Sequence, residues 1–352
     1  GKQIPPYGKS EAPNDLRRLV SAYFSDILFS IYILDNQKVR MLVFFIHGVG
    51  TRNANYAATV IRNIKRHFDV SNQPLCYGSF WGNEFNNKRA QIIDFIKSDV
   101  KEAISKHDID GWLRNDVYRY QERRFQFIND FLGDFLNYQN IDRGREIRKT
   151  IIRQFAQFIK NHPQEEEVHF VAHSLGCLIL WDLLFSSNLK DDPDVLRFRD
   201  YMYHLSLKSI TTLGSPLLFI KHFLDIDFSL LNEFLDSREN EDSDRNYPLR
   251  WVNVIHSSDL IAYPMKSAIK DEVSERLFFV DQFVWLNANA QEPIFRGIGR
   301  QDEAMVVAAI QAHSSYFADN LDGAITGEII AKNLQSRVSA LNTKRITSWD
   351  KR

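Results

Sequence analysis

Cysteine is scarce in this 352-residue chain: only Cys76 and Cys177 are present. A disulfide framework is therefore not expected, and a reducing, cytoplasmic setting is. His, Cys and Asp do not cluster at metal-ligand spacing, so the expectation is no metal and no other cofactor. An excess of charge of one sign is also lacking. Forty-four Lys and Arg stand against 45 Asp and Glu, a formal net charge of −1, so nothing global recruits nucleic acid or an anionic membrane. Long apolar runs are missing. The most apolar early stretch, residues 19–34, is broken by Asp26 and falls short of the roughly 20 residues that span a bilayer. No secretory signal pattern opens the chain, and repeats and low-complexity tracts are absent. A soluble protein is expected, with no oligomeric state assigned. What remains is an ordinary globular composition, 44% hydrophobic and 25% charged.

Phenylalanine, by contrast, is abundant. Its 26 residues predict a bulky core or an apolar cavity. The stretch on which the chain turns is Val168-His169-Phe170-Val171-Ala172-His173-Ser174-Leu175-Gly176-Cys177-Leu178-Ile179-Leu180. An apolar run, a tight turn through His-Ser-Leu-Gly and a second apolar run predict strand, turn and helix with Ser174 at the apex. That is the nucleophile elbow of α/β-hydrolases, here with Ala172 in place of the first glycine. Read alone, Ser174 also fits a helix N-cap. Cys177 is expected to pack behind the elbow as a small hydrophobe.

Taken in order, residues 1–14 read as a loose arm. Leu16, Leu19, Val20, Tyr23 and Phe24 keep helical spacing, and residues 27–34 become strand-like before a turn at 35–37. A membrane-surface helix over 16–34 is the alternative. Residues 41–46 form a strongly apolar strand ending in His47-Gly48-Val49-Gly50. A His-Gly loop in that place supplies half of an oxyanion hole in α/β-hydrolases; the plainer reading is a glycine-rich turn. No Gly-Lys-Ser/Thr follows to mark a phosphate cradle. Residues 53–68 read as a helix and 74–81 as a strand.

Residues 84–160 read as a mostly helical insertion that could cap the site. One stripe is Phe125, Ile128, Leu132, Phe135 and Leu136; another is Ile147, Ile151, Ile152, Phe155 and Ile159, and such stripes signify core packing. After the elbow, residues 207–213 form a strand. Pro216 then opens an apolar segment, and with the acidic loop beyond it residues 217–248 are a candidate lid. Phe219, Phe223, Leu224, Leu231 and Phe234 are its candidate acyl-chain wall, although packing on the sheet explains the segment equally well. Strands follow at 251–255 and, as strand or hairpin, at 276–286; residues 296–300 read as a turn. A helix over 303–310 leads to His313, and the stretch from Gly327 reads as a helix with a solvated basic face, contact with lipid head groups being the alternative.

A serine needs a base to take its proton as it attacks, a carboxylate to hold that base in one tautomer, and N–H donors for the oxyanion. In α/β-hydrolases the order is Ser, Asp or Glu, His. Ser174, Asp259 and His313 keep that order, with the last two expected just past a strand or in a loop. The oxyanion donors are then the N–H of Leu175 and of Gly48 or Val49. His173 and His169 read as structural, His47 as ordering its loop, and His256 as a supporting group; Asp225, Asp227 and Asp281 are rival carboxylates.

Residues 172–184 resemble the lipase motif of DDHD-type intracellular phospholipases A1. Thr212-Leu213-Gly214-Ser215-Pro216-Leu217 resembles the strand end that follows it there, and residues 253–263 the Asp-Pro-Val-Ala-Tyr segment, with Leu260 in place of the proline. Ala312-His313-Ser314-Ser315-Tyr316 is similar to the Ser-His-x-x-Tyr segment. The likeness spans about half of the chain, from about residue 140. It implies Ser174, Asp259 and His313 as the triad and a lipid acyl ester as substrate. The expected whole is one α/β-hydrolase domain over residues 1–352: a mostly parallel central sheet flanked by helices, with a helical insertion or cap and, as a partner, a peripheral membrane surface. A small-ester esterase, a serine peptidase and a catalytically silent scaffold on the same fold are the alternatives.

Overall fold

A computed structural model describes residues 41–84, 86–107, 133–237, 249–284, 286 and 289–335. The expectations for residues 1–40, for Phe125, Ile128 and Leu132, for the acidic loop beyond 237 and for the basic residues beyond 335 lie outside them.

Six strands carry the architecture: β1 (Met41–Ile46), β2 (Leu75–Gly78), β3 (Glu167–His173), β4 (Ser206–Leu213), β5 (Leu249–His256) and β6 (Leu277–Val284). They pair in the order β2-β1-β3-β4-β5-β6, and every pair is parallel. Parallel strands need crossovers, which put helices on both faces. These are α1 (Ala58–Lys65), α2 (Asn86–His107), α3 (Gly133–Gln139), α4 (Ile141–Lys160), α5 (Leu175–Leu184), α6 (Pro193–His204), α7 (Leu217–Leu224), α8 (Leu230–Ser237), α9 (Lys266–Glu272), α10 (Glu292–Gly297), α11 (Gln301–Ser315) and α12 (Leu321–Gln335). This is an α/β-hydrolase-type fold.

Alternation along β1 shows how the sheet is sandwiched. Leu42, Phe44 and Ile46 enter the core shared with α4, α5 and α6, whereas Val43 and Phe45 enter the one shared with α1 and α12. Many of the phenylalanines build the first core. Phe44 meets Phe155 edge-on at 5.1 Å, and Phe155 meets Phe170 and Phe198 at 5.5 and 5.0 Å. Truncating one such buried ring typically costs about 3–5 kcal/mol. Every residue of α5 except Asp182 is buried, as befits a helix that is apolar all round.

The second stripe packs in the core, as its spacing led one to expect: Ile147, Ile151, Ile152 and Phe155 pack α4 onto the sheet as the crossover into β3. α12 is no solvated face. Ile329, Ile330 and Leu334 bury it against the sheet, and Arg250 of β5 donates two hydrogen bonds to Asn333 O. Of the two readings for residues 276–286, strand and hairpin, the strand holds: residues 277–284 pair in parallel with β5. Among the described residues no helix is long and apolar enough to cross a membrane.

β1 connects to β2 on one side while β3 lies on its other, so the strand order reverses between β1 and β3. In open parallel sheets, ligands bind in the crevice at the carboxyl ends of strands at such a switch point. The chain puts His47-Gly48 at the end of β1 and Ser174 at the end of β3, on either side of that crevice.

Candidate active site

Ser174 sits between β3 and α5 with φ 54° and ψ −126°. For a residue with a Cβ this is strained, by about 1–3 kcal/mol. Flanking hydrogen bonds hold it there: Ser174 N donates to Leu213 O at 3.0 Å, and Cys177 N donates to Ser174 O at 3.0 Å. The residue occupies the N-cap position of α5, yet its hydroxyl caps nothing. It faces His313, with Oγ 2.8 Å from Nε2. His313 Nδ1 lies 2.9 Å from Asp259 Oδ2. A carboxylate only accepts, so Nδ1 carries the proton and Nε2 is left as the acceptor for the serine hydroxyl. Three residues separated by 85 and 54 positions thus form one hydrogen-bonded line.

Asp259 follows β5 in a turn closed by its own N–H on His256 O. Burial would raise its carboxyl. The His313 imidazole, the Ile261 N–H and the Tyr316 hydroxyl outweigh burial and hold it below the usual carboxylate range. Tyr316 Oη donates to Asp259 Oδ2 at 2.9 Å and accepts from His256 N at 2.9 Å. Sequence reading missed Tyr316 as a partner of Asp259; its only signal was its place three residues after His313. Gly214, at φ +55°, closes this side. A methyl there would sit 2.9 Å from Asp259 Oδ2 and 3.2 Å from His313 Cε1.

His313 is not in a loop, as the order of residues suggested, but in the last turn of α11. Ala304, Ala308, Ala309 and Ala312 are strong helix formers and carry the helix through it.

Across the crevice the loop after β1 presses on the serine. A Cβ on Gly48 would overlap Ser174 Cβ and lie 2.9 Å from Ser174 Oγ, so only main chain can pass. His47 is fully buried, and Trp81 N donates to its Nε2 at 3.1 Å. Nδ1 must then carry the proton, which it gives to Gly48 O at 2.7 Å. Burial pushes the imidazole down to about 3, so it stays neutral and orders the loop. Asp134, at the start of α3, accepts from Gly50 N at 2.9 Å and from Arg52 Nη1 at 3.0 Å. Nothing in the sequence marked Asp134. Leu175 N, first in α5, has no intrahelical acceptor.

The other candidates disperse. His169 is buried in β3 against Ser209 Oγ at 2.7 Å. Asp281 accepts from Asn253 Nδ2 and from the main chain of Met265 and Lys266. Asp225 ends α7 in a left-handed conformation, and Asp227 accepts from Ser229 N. The proposed acyl-chain wall divides. Phe219, Phe223 and Leu224 are exposed on α7, the two rings 4.5 Å apart. Leu231 is fully buried in the core and so is no wall. Phe234 lines a cavity of about 140 Å³ with Leu184, Phe185 and Met202, at the far end of α5. Ten helical residues put that end about 15 Å from Ser174.

No family model matches the chain, and no curated protein sequence matches it. Among solved structures, one match is the thioesterase RedJ of the prodiginine biosynthetic pathway in Streptomyces coelicolor. It is 10% identical, with 93% of this chain and 97% of that one covered and a TM-score of 0.36.

Proposed function

We propose that this protein is a serine-dependent hydrolase of acyl esters, with Ser174 as nucleophile, His313 as general base and acid, and Asp259 as its orienting carboxylate. The observation that carries the reading is the unbroken line from Ser174 Oγ through the His313 ring to Asp259 Oδ2 at the switch point of a parallel sheet. Ser174 Oγ bonds to the acyl carbon as its proton passes to His313 Nε2. The N–H groups of Leu175 and of Gly48 or Val49 hold the resulting oxyanion. The carbon–oxygen bond to the alcohol breaks, and the alcohol leaves with the proton from His313. Water then adds to the acyl-enzyme by the same proton path and releases the acid and Ser174.

Lipid acyl esters are the substrate class we favour, in the manner of a phospholipase A1. The resemblance of residues 172–184 and 312–316 to DDHD-type enzymes supports this. So do the exposed rings of Phe219 and Phe223, on a helix that starts three residues after Gly214 and offers a face to a peripheral lipid surface. Cys76 and Cys177 are both free, in keeping with a cytoplasmic setting.

A fluorophosphonate probe, which phosphonylates activated serines, tests the reading. Wild type should be labelled and Ser174→Ala should not. Turnover of p-nitrophenyl esters should then rise with acyl length. Absence of labelling would leave a silent scaffold; a preference for the shortest esters would leave the hydrolase but remove the lipid substrate.

A further inference from the structure

A helix ends with carbonyls that no following turn can satisfy, and α11 ends at the residues that deliver His313. Ala312 O accepts from Ser315 Oγ at 2.9 Å, and Ser315 O from Ala318 N at 3.0 Å; both donors are local. The carbonyl of His313 itself is satisfied from another element altogether. His173 Nε2 donates to it at 2.8 Å. His173 is the last residue of β3 and the immediate neighbour of Ser174.

We propose that His173 is a positioning residue: its Nε2–H grips the main chain of His313 and so fixes the distance between the Ser174 hydroxyl and the His313 imidazole. The inference rests on the hydrolase reading above. One rigid strand end then carries both the nucleophile and the clamp on its base. The His173 ring is buried, packed at 4.8 Å from the His313 ring, 5.3 Å from Phe317 and 5.6 Å from Tyr316. Burial, then the neighbouring His313, push its imidazole down to about 3. It therefore stays neutral beside the imidazolium that forms during turnover, and it cannot replace His313 as base because its Nε2 is already donating.

Two substitutions separate the clamp from mere packing. Glutamine can place an amide N–H where Nε2 stands; methionine fills similar space without a donor. His173→Met should slow phosphonylation of Ser174 and lower kcat by about 10- to 100-fold, the scale of a misplaced catalytic group, with KM nearly unchanged. His173→Gln should stay close to wild type. Equal losses in both variants, or wild-type rates in His173→Met, would overturn the clamp. A wild type that resists the probe would overturn the hydrolase reading instead. Histidine 15N NMR on the unmodified protein gives a reading independent of folding in the variants. His173 should be the Nε2–H tautomer and neutral at pH 5; an Nδ1–H tautomer contradicts the proposal.

Discussion

The two flanks of Ser174 are built differently. On the α11 flank, side chains bond to side chains: His313 to Asp259, Asp259 to Tyr316, with His173 tying in the main chain. On the β1 flank, what faces the serine is bare backbone at Gly48, and the side chains stand behind it. His47 holds the Gly48 carbonyl and Asp134 holds the Gly50 N–H. In the proposed mechanism one flank supplies groups that move protons, the other fixed dipoles. Each is set by a neutral, buried histidine, His173 on one side and His47 on the other.

The largest effect that separates the flanks is removal of the base. His313→Ala should lower kcat by about a million-fold, measured by ester turnover, because nucleophile and base act as one unit. Next comes Gly48→Ala on the backbone flank. The added methyl overlaps Ser174 Cβ, so the loop must shift and take its N–H groups with it. A loss of about 100- to 1000-fold in kcat is expected, the value of an oxyanion donor, with the thermal melt marking any loss of fold. Tyr316→Phe should cost only about tenfold, near the 1.4 kcal/mol of one modest hydrogen bond.

The last effect is on stability and not on rate. As pH falls below 6.5 the unfolded chain protonates both buried imidazoles, whereas the folded chain does so only near 3. The unfolded state therefore binds more protons over that window. Stability should fall with falling pH by up to about 1.4 kcal/mol per pH unit for each histidine. His173→Gln should flatten the slope of Tm against pH; an unchanged slope would show that His173 titrates normally.

The same contrast explains what was legible in the sequence. The elbow, the residue order Ser174, Asp259 and His313, and the strands β1, β3, β4 and β5 could be read because apolar runs and reactive side chains leave marks in one dimension. The place of His313 on a helix could not, since the order of residues is the same for loop and helix. Asp134 and Tyr316 act through partners 84 and 57 positions away, and no spacing rule connects them. α7 and α8 read as one apolar segment, yet Phe219 and Phe223 face outward while Leu231 is buried. Apolar spacing tells which residues share a face, not whether that face meets core or solvent.

The central claim is a covalent acyl intermediate on Ser174. Stopped-flow mixing with a p-nitrophenyl ester, followed by acid quench and peptide mass spectrometry, tests it directly. The account predicts a burst of p-nitrophenol approaching one equivalent per chain and an acyl mass on the peptide containing Ser174. Turnover with no adduct on that peptide, or unchanged turnover in Ser174→Ala, would contradict it.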